Sequence, residues 1–326
     1  MCVKKGENVL VMADTGTDMT AVHAILDAGY RAGAKTSVMV LAPQLPFQGS
    51  IADQFLPAHA TAAIDACDVC IDLCMPYLAG SKAYDKAMHN KRTRYFLGAD
   101  MGMEELVRLM GGARLDDVFA LSNAIAELVA ESKGKECRFT NPAGSDFTCV
   151  IAETEGLAFA RATAPGGYFV PGTALIIPEL ESVKGTIVGK TCFHEYYTEF
   201  SEPLTFKVDG KVRDVIGGGQ DNKVMRRSLE RAGNGEFGYV VHLTCGHHPA
   251  ARYTGKCFIE DQRVTGNNAI GLGLPPWIEG GGENHPDVVM DAQTIWIGGK
   301  EIVKDGLIVG PPALAKLASA LTPLYG

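Results

Sequence analysis

The chain has 326 residues, 46% of them hydrophobic and 21% charged, with a formal net charge of −8. That length holds two domains or one large one, and the apolar share suffices for a sizeable core. The 30 Lys and Arg are scattered, with no long basic run, which argues against a nucleic-acid surface, and no apolar run approaches the roughly 18–20 residues of a membrane span.

The nine Cys do not pair as a secreted framework would. Cys67, Cys70 and Cys74 fall on a segment that reads as buried. A Cys-x-x-Cys can signal redox or zinc chemistry, but zinc would need a second ligand pair, and none is evident. Small buried hydrophobes is the plainer reading, and a reducing, cytoplasmic setting follows. Lys4-Lys5 precedes only a short apolar run that soon meets Asp14, so no signal peptide is expected.

Residues 1–135 alternate strand-like and helix-like runs. Val9 to Met12 reads as a buried strand, and Thr17 or Asp18 caps a helix through Ala21, Ile25, Ala28 and Ala32 that Gly33 ends. Strands are expected at 36–41, 68–73 and 94–97, and helices at 57–66, 81–89 and 103–110. Repeated β-α units imply a mainly parallel sheet with helices on its faces. The 13–17 loop lies where doubly wound folds often bind ligands, but it lacks G-x-G-x-x-G, so no dinucleotide site is expected. Residues 116–132, with Val118, Leu121, Ile125, Leu128 and Val129 at helical spacing, form an amphipathic helix leading to a second domain.

From 136 to 326 short apolar runs alternate with Gly, Pro, Asn and Asp, the texture of a β-rich domain. Strands are expected near 146–151, 174–178, 185–188, 204–208, 212–216, 236–244, 294–297, 301–304 and 307–309. Asp209-Gly210 marks a two-residue hairpin turn, 222–232 a charged helix and the last 15 residues a short apolar one. The fold class is therefore an N-terminal mainly parallel α/β domain (1–135) followed by a larger mixed, β-rich domain (136–326) that carries the candidate chemistry.

That chemistry centres on His285-Pro286-Asp287. If the stretch is extended, His285 and Asp287 project from one face, two thirds of a 2-His-1-carboxylate metal site. Pro286 pushes His285 out of helical geometry and limits pairing, so the motif starts a strand or lies on an edge. A surface turn with a capping Asp would give the same letters. His242, in a strand-like run, is either a hydrogen-bonded core residue or the missing imidazole. His247, His248 and Tyr253 are candidate bases, each also compatible with a structural role. Glu236 is a candidate group for orienting a ligand His, or a strand-start carboxylate. Gly280 to Gly282 would suit a lid or an ordinary turn.

Asn141-Pro142-Ala143-Gly144-Ser145-Asp146-Phe147, Lys184-Gly185-Thr186-Ile187-Val188, Glu236-Phe237-Gly238 with His242, and His285-Pro286-Asp287 together resemble segments of the 2,5-dihydroxypyridine 5,6-dioxygenases. The resemblance implies an extradiol-type ring-cleaving enzyme that takes a small hydroxylated heteroaromatic and O₂. It implies a single non-haem Fe(II) held by His242, His285 and Asp287, and a homo-oligomer. The chain departs from that pattern where the family carries a substrate-side Leu-His pair, here Tyr77-Leu78, and a second His, here near Thr163. A related family, the thermophilic-type metalloaminopeptidases, shares Gly235-Glu236 and the His-x-Asp. Two of its metal ligands fall on Thr173 and Ala269, so a metal-dependent hydrolase using zinc or manganese is the alternative, and a non-catalytic small-molecule binder a third reading.

Overall fold

The structure, a computed structural model, describes the chain except residues 43–48, 154–158, 194–195, 276, 280, 282–284 and 325–326. It divides into two compact units, Met1–Met110 with Ala160–Val170, and Gly111–Phe159 with Pro171–Gly326. The first unit begins β1 (Asn8–Asp14), α1 (Met19–Arg31), β2 (Lys35–Leu41), α2 (Ala58–Ala66), β3 (Val69–Asp72), α3 (Lys82–His89), β4 (Arg94–Leu97) and α4 (Met103–Leu106). The second starts with α5 (Leu115–Ala130), β5 (Glu136–Thr140) and β6 (Asp146–Val150). The chain then returns to the first unit for β7 (Gly166–Phe169).

The first unit is a parallel sheet in the order β2-β1-β3-β4-β7. β1, β3 and β4 are buried almost throughout, as strands covered on both faces must be. The Asp18 side chain accepts from Thr20 N and caps α1. Strand β7 was not legible in the sequence, because Gly166-Gly167 reads as a turn. A Cβ at Gly167 would lie 2.9 Å from the Tyr84 hydroxyl on α3, so a larger residue there would have to displace that side chain. Cys67, Cys70 and Cys74 are buried free thiols, and burial pushes those of Cys70 and Cys74 well up, which suits packing rather than reactivity. The loop after β1 satisfies itself: Asp14 Oδ1 accepts from Gly16 N and Oδ2 from Met75 N.

The second unit continues with β8 (Thr173–Ile176), β9 (Lys184–Phe193), β10 (Tyr197–Asp209), β11 (Lys211–Gly217), α6 (Asp221–Ala232), β12 (Tyr239–Gly246), α7 (Phe258–Asp261), β13 (Asn268–Gly273), β14 (Asp287–Met290), β15 (Thr294–Ile297), β16 (Lys300–Lys304), β17 (Leu307–Ile308) and α8 (Pro312–Ala320). Its antiparallel sheet runs β10-β11-β12-β13-β14-β9-β6-β5-β15-β16-β17, and β9 also pairs with β10. Strands β9 to β14 therefore close into a ring, completed at β11–β12 by the short Lys211–Tyr239 pairing. Ile270, Leu272, Val288, Met290, Cys192 and Phe206 point into one core. Period-two alternation turns Gly271, Asp287 and Phe193 to the opposite face. Helix α5 belongs to this unit, with Leu121, Ile125 and Val129 in the same core.

Candidate metal centre

The site is built across three neighbouring strands. In register, His242 on β12 lies opposite Gly271 on β13, and Gly271 opposite Asp287 on β14. Two sheet spacings separate the outer strands, roughly 9–10 Å, so an imidazole must lie over the middle strand to reach a carboxylate. Gly271 makes that possible: a Cβ there would sit 2.3 Å from His242 Nε2 and 2.5 Å from its Cδ2.

A β-bulge aims His242. The pairing steps from Val240–Leu272 to His242–Gly271, two residues on β12 against one on β13, so Val241 is the extra residue. Without it His242 would share the face of Val240, which points into the core. With it, His242 joins the face of Gly271, and Leu243 and Cys245 resume the core positions. Buried amides support the ladder just beyond. Thr244 N donates to Asn268 Oδ1 at 2.7 Å, Ala269 N to Thr244 Oγ1 at 2.6 Å, and Asn268 Nδ2 to Gln293 Oε1 at 3.0 Å.

His285 and Asp287 arrive together. Leu272 N donates to the Pro286 carbonyl at 2.8 Å, and β14 begins at the next residue, so the proline sits just outside an interior strand. The potential ligand atoms of His242, His285 and Asp287 all lie within 4.8 Å of one another. His242 Nε2 is 3.0 Å from Asp287 Oδ1, and His285 Nε2 is 3.3 Å from Oδ2. The two rings stand edge to face, 5.5 Å between centroids.

Burial alone would raise the Asp287 carboxyl, but the two imidazoles outweigh it and hold it far below the usual carboxylate range. Burial pushes His285 down, and the Asp287 carboxylate beside it more than reverses that. Although Oδ1 is close to His242 Nε2, it accepts no aligned hydrogen bond, and His242 Nδ1 is likewise buried without a partner among the described residues. A buried carboxylate oxygen with an unused lone pair, between two imidazoles and over a glycine that clears space, fits a cation-binding donor set of two nitrogens and one anionic oxygen.

The other candidate residues lie elsewhere in the unit. His247 is buried, with Nδ1 donating to the Cys245 carbonyl at 2.9 Å and Nε2 accepting from Ser122 Oγ at 2.7 Å. His248 Nδ1 accepts from Ala250 N at 3.2 Å, and its Cβ packs on Gly172, where an added Cβ would be 2.5 Å away. The Glu236 carboxylate is exposed and ion-paired with Lys211. Tyr253 is 37% exposed, and burial of its hydroxyl pushes it up to about 12. Of the glycine run behind His285, Gly280 and Gly282 lie outside the described residues, as do Glu283 and Asn284.

Burial holds His247 down at about 4. Its folded value is below the ordinary one of about 6.5, so the stabilising contribution is complete above pH 6.5 and is lost as pH falls from 6.5 towards 4. The loss amounts to about 3 kcal/mol. Urea titrations from pH 7 to pH 4 should show this acid sensitivity reduced in His247→Gln; an unchanged pH dependence would remove the assignment.

The family model described as NicX, 2,5-dihydroxypyridine 5,6-dioxygenase, matches residues 1–310. The chain belongs to that family. Among solved structures it resembles 2,5-dihydroxypyridine dioxygenase from Pseudomonas putida KT2440, at 19% identity and a TM-score of 0.72 over 96% of this chain and 94% of that one. It also resembles wild-type AmpT from Thermus thermophilus, at 14% identity and a TM-score of 0.61 over 94% of this chain and 95% of that one. Both likenesses are of fold. No curated protein is matched. No helix among the described residues is long and apolar enough to cross a membrane. A member of this dioxygenase family is an enzyme that takes O₂ and a small molecule, and the triad of His242, His285 and Asp287 is its possible metal site here.

Sequence reasoning missed β13, the strand beneath the candidate metal site. Two glycines in Ile270-Gly271-Leu272-Gly273 dilute its strand signal. Their placement on alternate positions, beside two core aliphatics, was the available clue: a wall strand with one face kept bare.

Proposed function

We propose that this protein is an Fe(II)-dependent, extradiol-type dioxygenase that opens a hydroxylated heteroaromatic ring of the dihydroxypyridine kind, and that His242, His285 and Asp287 hold the iron. The observation that carries the reading is the convergence within 4.8 Å of the His242 imidazole on β12 with the His285 imidazole and Asp287 carboxylate at the start of β14. When bound, ferrous iron would supply one-electron chemistry towards O₂ and acidify a ring hydroxyl.

The protein's own contributions follow from the site. The three ligands come from one wall of the ring, which leaves the opposite side free for substrate. Asp287 brings the only formal charge among them, and its depressed pKa keeps it ionised across the working pH range. The edge-to-face rings of His242 and His285 present donor atoms from two directions. Phe193, directly opposite Asp287 on β9, and Phe258, 5.8 Å from it between centroids, place apolar surface beside the ligands, which favours a flat ring over a charged chain. Of the three candidate bases, Tyr253 is favoured, because both ring nitrogens of His247 are already engaged and His248 is buried. A cytoplasmic homo-oligomer is part of the same reading, by resemblance.

The alternative, a zinc or manganese hydrolase on the same triad, has less to support it. The positions where the aminopeptidase relatives place further ligands hold Thr173 and Ala269, both buried. The test is metal analysis of protein purified without air, then oxygen-electrode assays over hydroxypyridines and catechols. Iron with oxygen uptake is expected; zinc or manganese with oxygen-independent turnover would overturn the proposal.

A further inference from the structure

We propose that Thr244, Asn268 and Gln293 are positioning residues that fix where the His242 imidazole stands relative to Asp287. The proposal rests on the metal-binding reading of the triad above and adds the device that sets its spacing.

The spacing needs such a device. Val241 makes β12 one residue longer than β13 across the bulge, and Gly271 offers no side chain to stop the imidazole from sliding over it. The backbone pairing of β12 with β13 ends at His242–Gly271. Two residues further on, side chains take over both backbone groups of Thr244. Its N donates to Asn268 Oδ1 at 2.7 Å, and its carbonyl accepts from Gln293 Nε2 at 3.4 Å. In return Thr244 Oγ1 accepts from Ala269 N at 2.6 Å. Backbone bonding between the strands resumes where Gly246 N donates to the Asn267 carbonyl at 2.8 Å. His242 is thereby held from both sides, by the Val240–Leu272 pairing before it and by the amides after it.

The clasp also reaches the strand of the other ligands. Asn268 lies opposite Met290 on β14, the strand that Asp287 begins. Asn268 Nδ2 donates to Gln293 Oε1 at 3.0 Å, and Gln293 Nε2 donates to the Asn267 carbonyl at 2.8 Å. Gln293 follows Met290 by three residues, and its own backbone is tied twice: its N donates to the Gly266 carbonyl at 2.9 Å, and its carbonyl accepts from Gly306 N at 2.8 Å. Side chains thus join β12 to the end of β14 across β13, independently of the ladder beneath the imidazole.

Counting donors and acceptors fixes each amide one way round. Asn268 Oδ1 faces an N–H, so Nδ2 faces Gln293 Oε1, and Gln293 Nε2 then faces two carbonyls. Asn268 and Gln293 are wholly buried, Asn268 in the same row as Ile270 and Leu272. Aliphatic side chains would fill those places without the penalty of burying amides. What the amides add is a single register. All three residues act through His242.

Gln293→Met keeps length and bulk but removes the link between the strands. Thr244→Val removes Oγ1 with little change of shape; it alters a single hydrogen bond and serves if Gln293→Met does not fold, as circular dichroism will show. Cobalt(II) is the probe: added to metal-free protein, it reports affinity by titration and ligand geometry by its visible bands at saturation. Both variants should bind it about 10–100-fold more weakly, with bands displaced from those of the wild type. Thr244→Ser should bind it as the wild type does. Leu314→Ala, a core truncation on α8 that lowers stability, should leave affinity and bands unchanged, which separates positioning from general loosening. Wild-type affinity and bands in Gln293→Met or Thr244→Val would overturn the clasp and leave the metal reading standing. A weakening in Leu314→Ala as large as in the clasp variants would overturn it as well. Wild-type protein that binds no cobalt(II) would overturn both.

Discussion

Asp287→Asn is expected to release the metal and abolish ring cleavage while leaving the fold intact. The carboxylate is 4% exposed and lies 3.0 and 3.3 Å from the two imidazoles. Asparagine keeps its volume but removes the one negative charge and turns an acceptor into a donor that faces ring nitrogens. Losing an outer hydrogen-bond partner of a metal ligand costs roughly 10–100-fold in affinity; losing the anionic ligand itself should cost more. Metal retained after dialysis and oxygen uptake read the effect, and circular dichroism reads the fold. Stoichiometric metal and near-normal turnover in this variant would remove Asp287 from the site.

Gly271→Ala should disable the same site without touching a ligand. The φ angle of Gly271 lies outside the left-handed region, so alanine fits the backbone. Its methyl does not fit the ring, because the added Cβ would sit 2.3 Å from His242 Nε2. The imidazole must swing away from Asp287, and forcing it to do so costs about 1–3 kcal/mol of stability. Metal affinity should fall by a factor comparable to that for loss of the ring itself. A double-mutant cycle separates clash from backbone effects: in a His242→Ala background the stability cost of Gly271→Ala should vanish. Additive costs, or normal metal binding by Gly271→Ala, would show that the ring does not occupy the space over Gly271.

Much of this was readable before any coordinates. The β-α alternation of the first unit carried its parallel sheet, because strands buried on both faces and capped amphipathic helices each leave a plain pattern. His285-Pro286-Asp287 could be placed on one face from the proline rule and the two-residue repeat alone. What stayed hidden depended on partners distant in the chain. β7 has no apolar pattern of its own and is held in place by β4. His242 follows a bulge that alternation cannot anticipate, so its facing could not be read from Val240 or Val241. His247 looked reactive as half of a His pair, yet Ser122, 125 positions earlier, engages its Nε2. Glu236 reads as support for a ligand or as a strand-start carboxylate, and in the structure its exposed carboxylate pairs with Lys211 on β11.

The extra residue in β12 has a consequence for moving this chemistry into another scaffold. The three side chains proposed to hold the ion are not a portable unit. A host barrel given His, His and Asp at matching positions would bury one imidazole among its aliphatics, because its ladder would run true. The transplant must include Val241 as a deliberate misstep and a bare position on the intervening strand. Four residues on three strands and His285 just before the third, two of the five without any affinity for metal, are the smallest piece that can be copied.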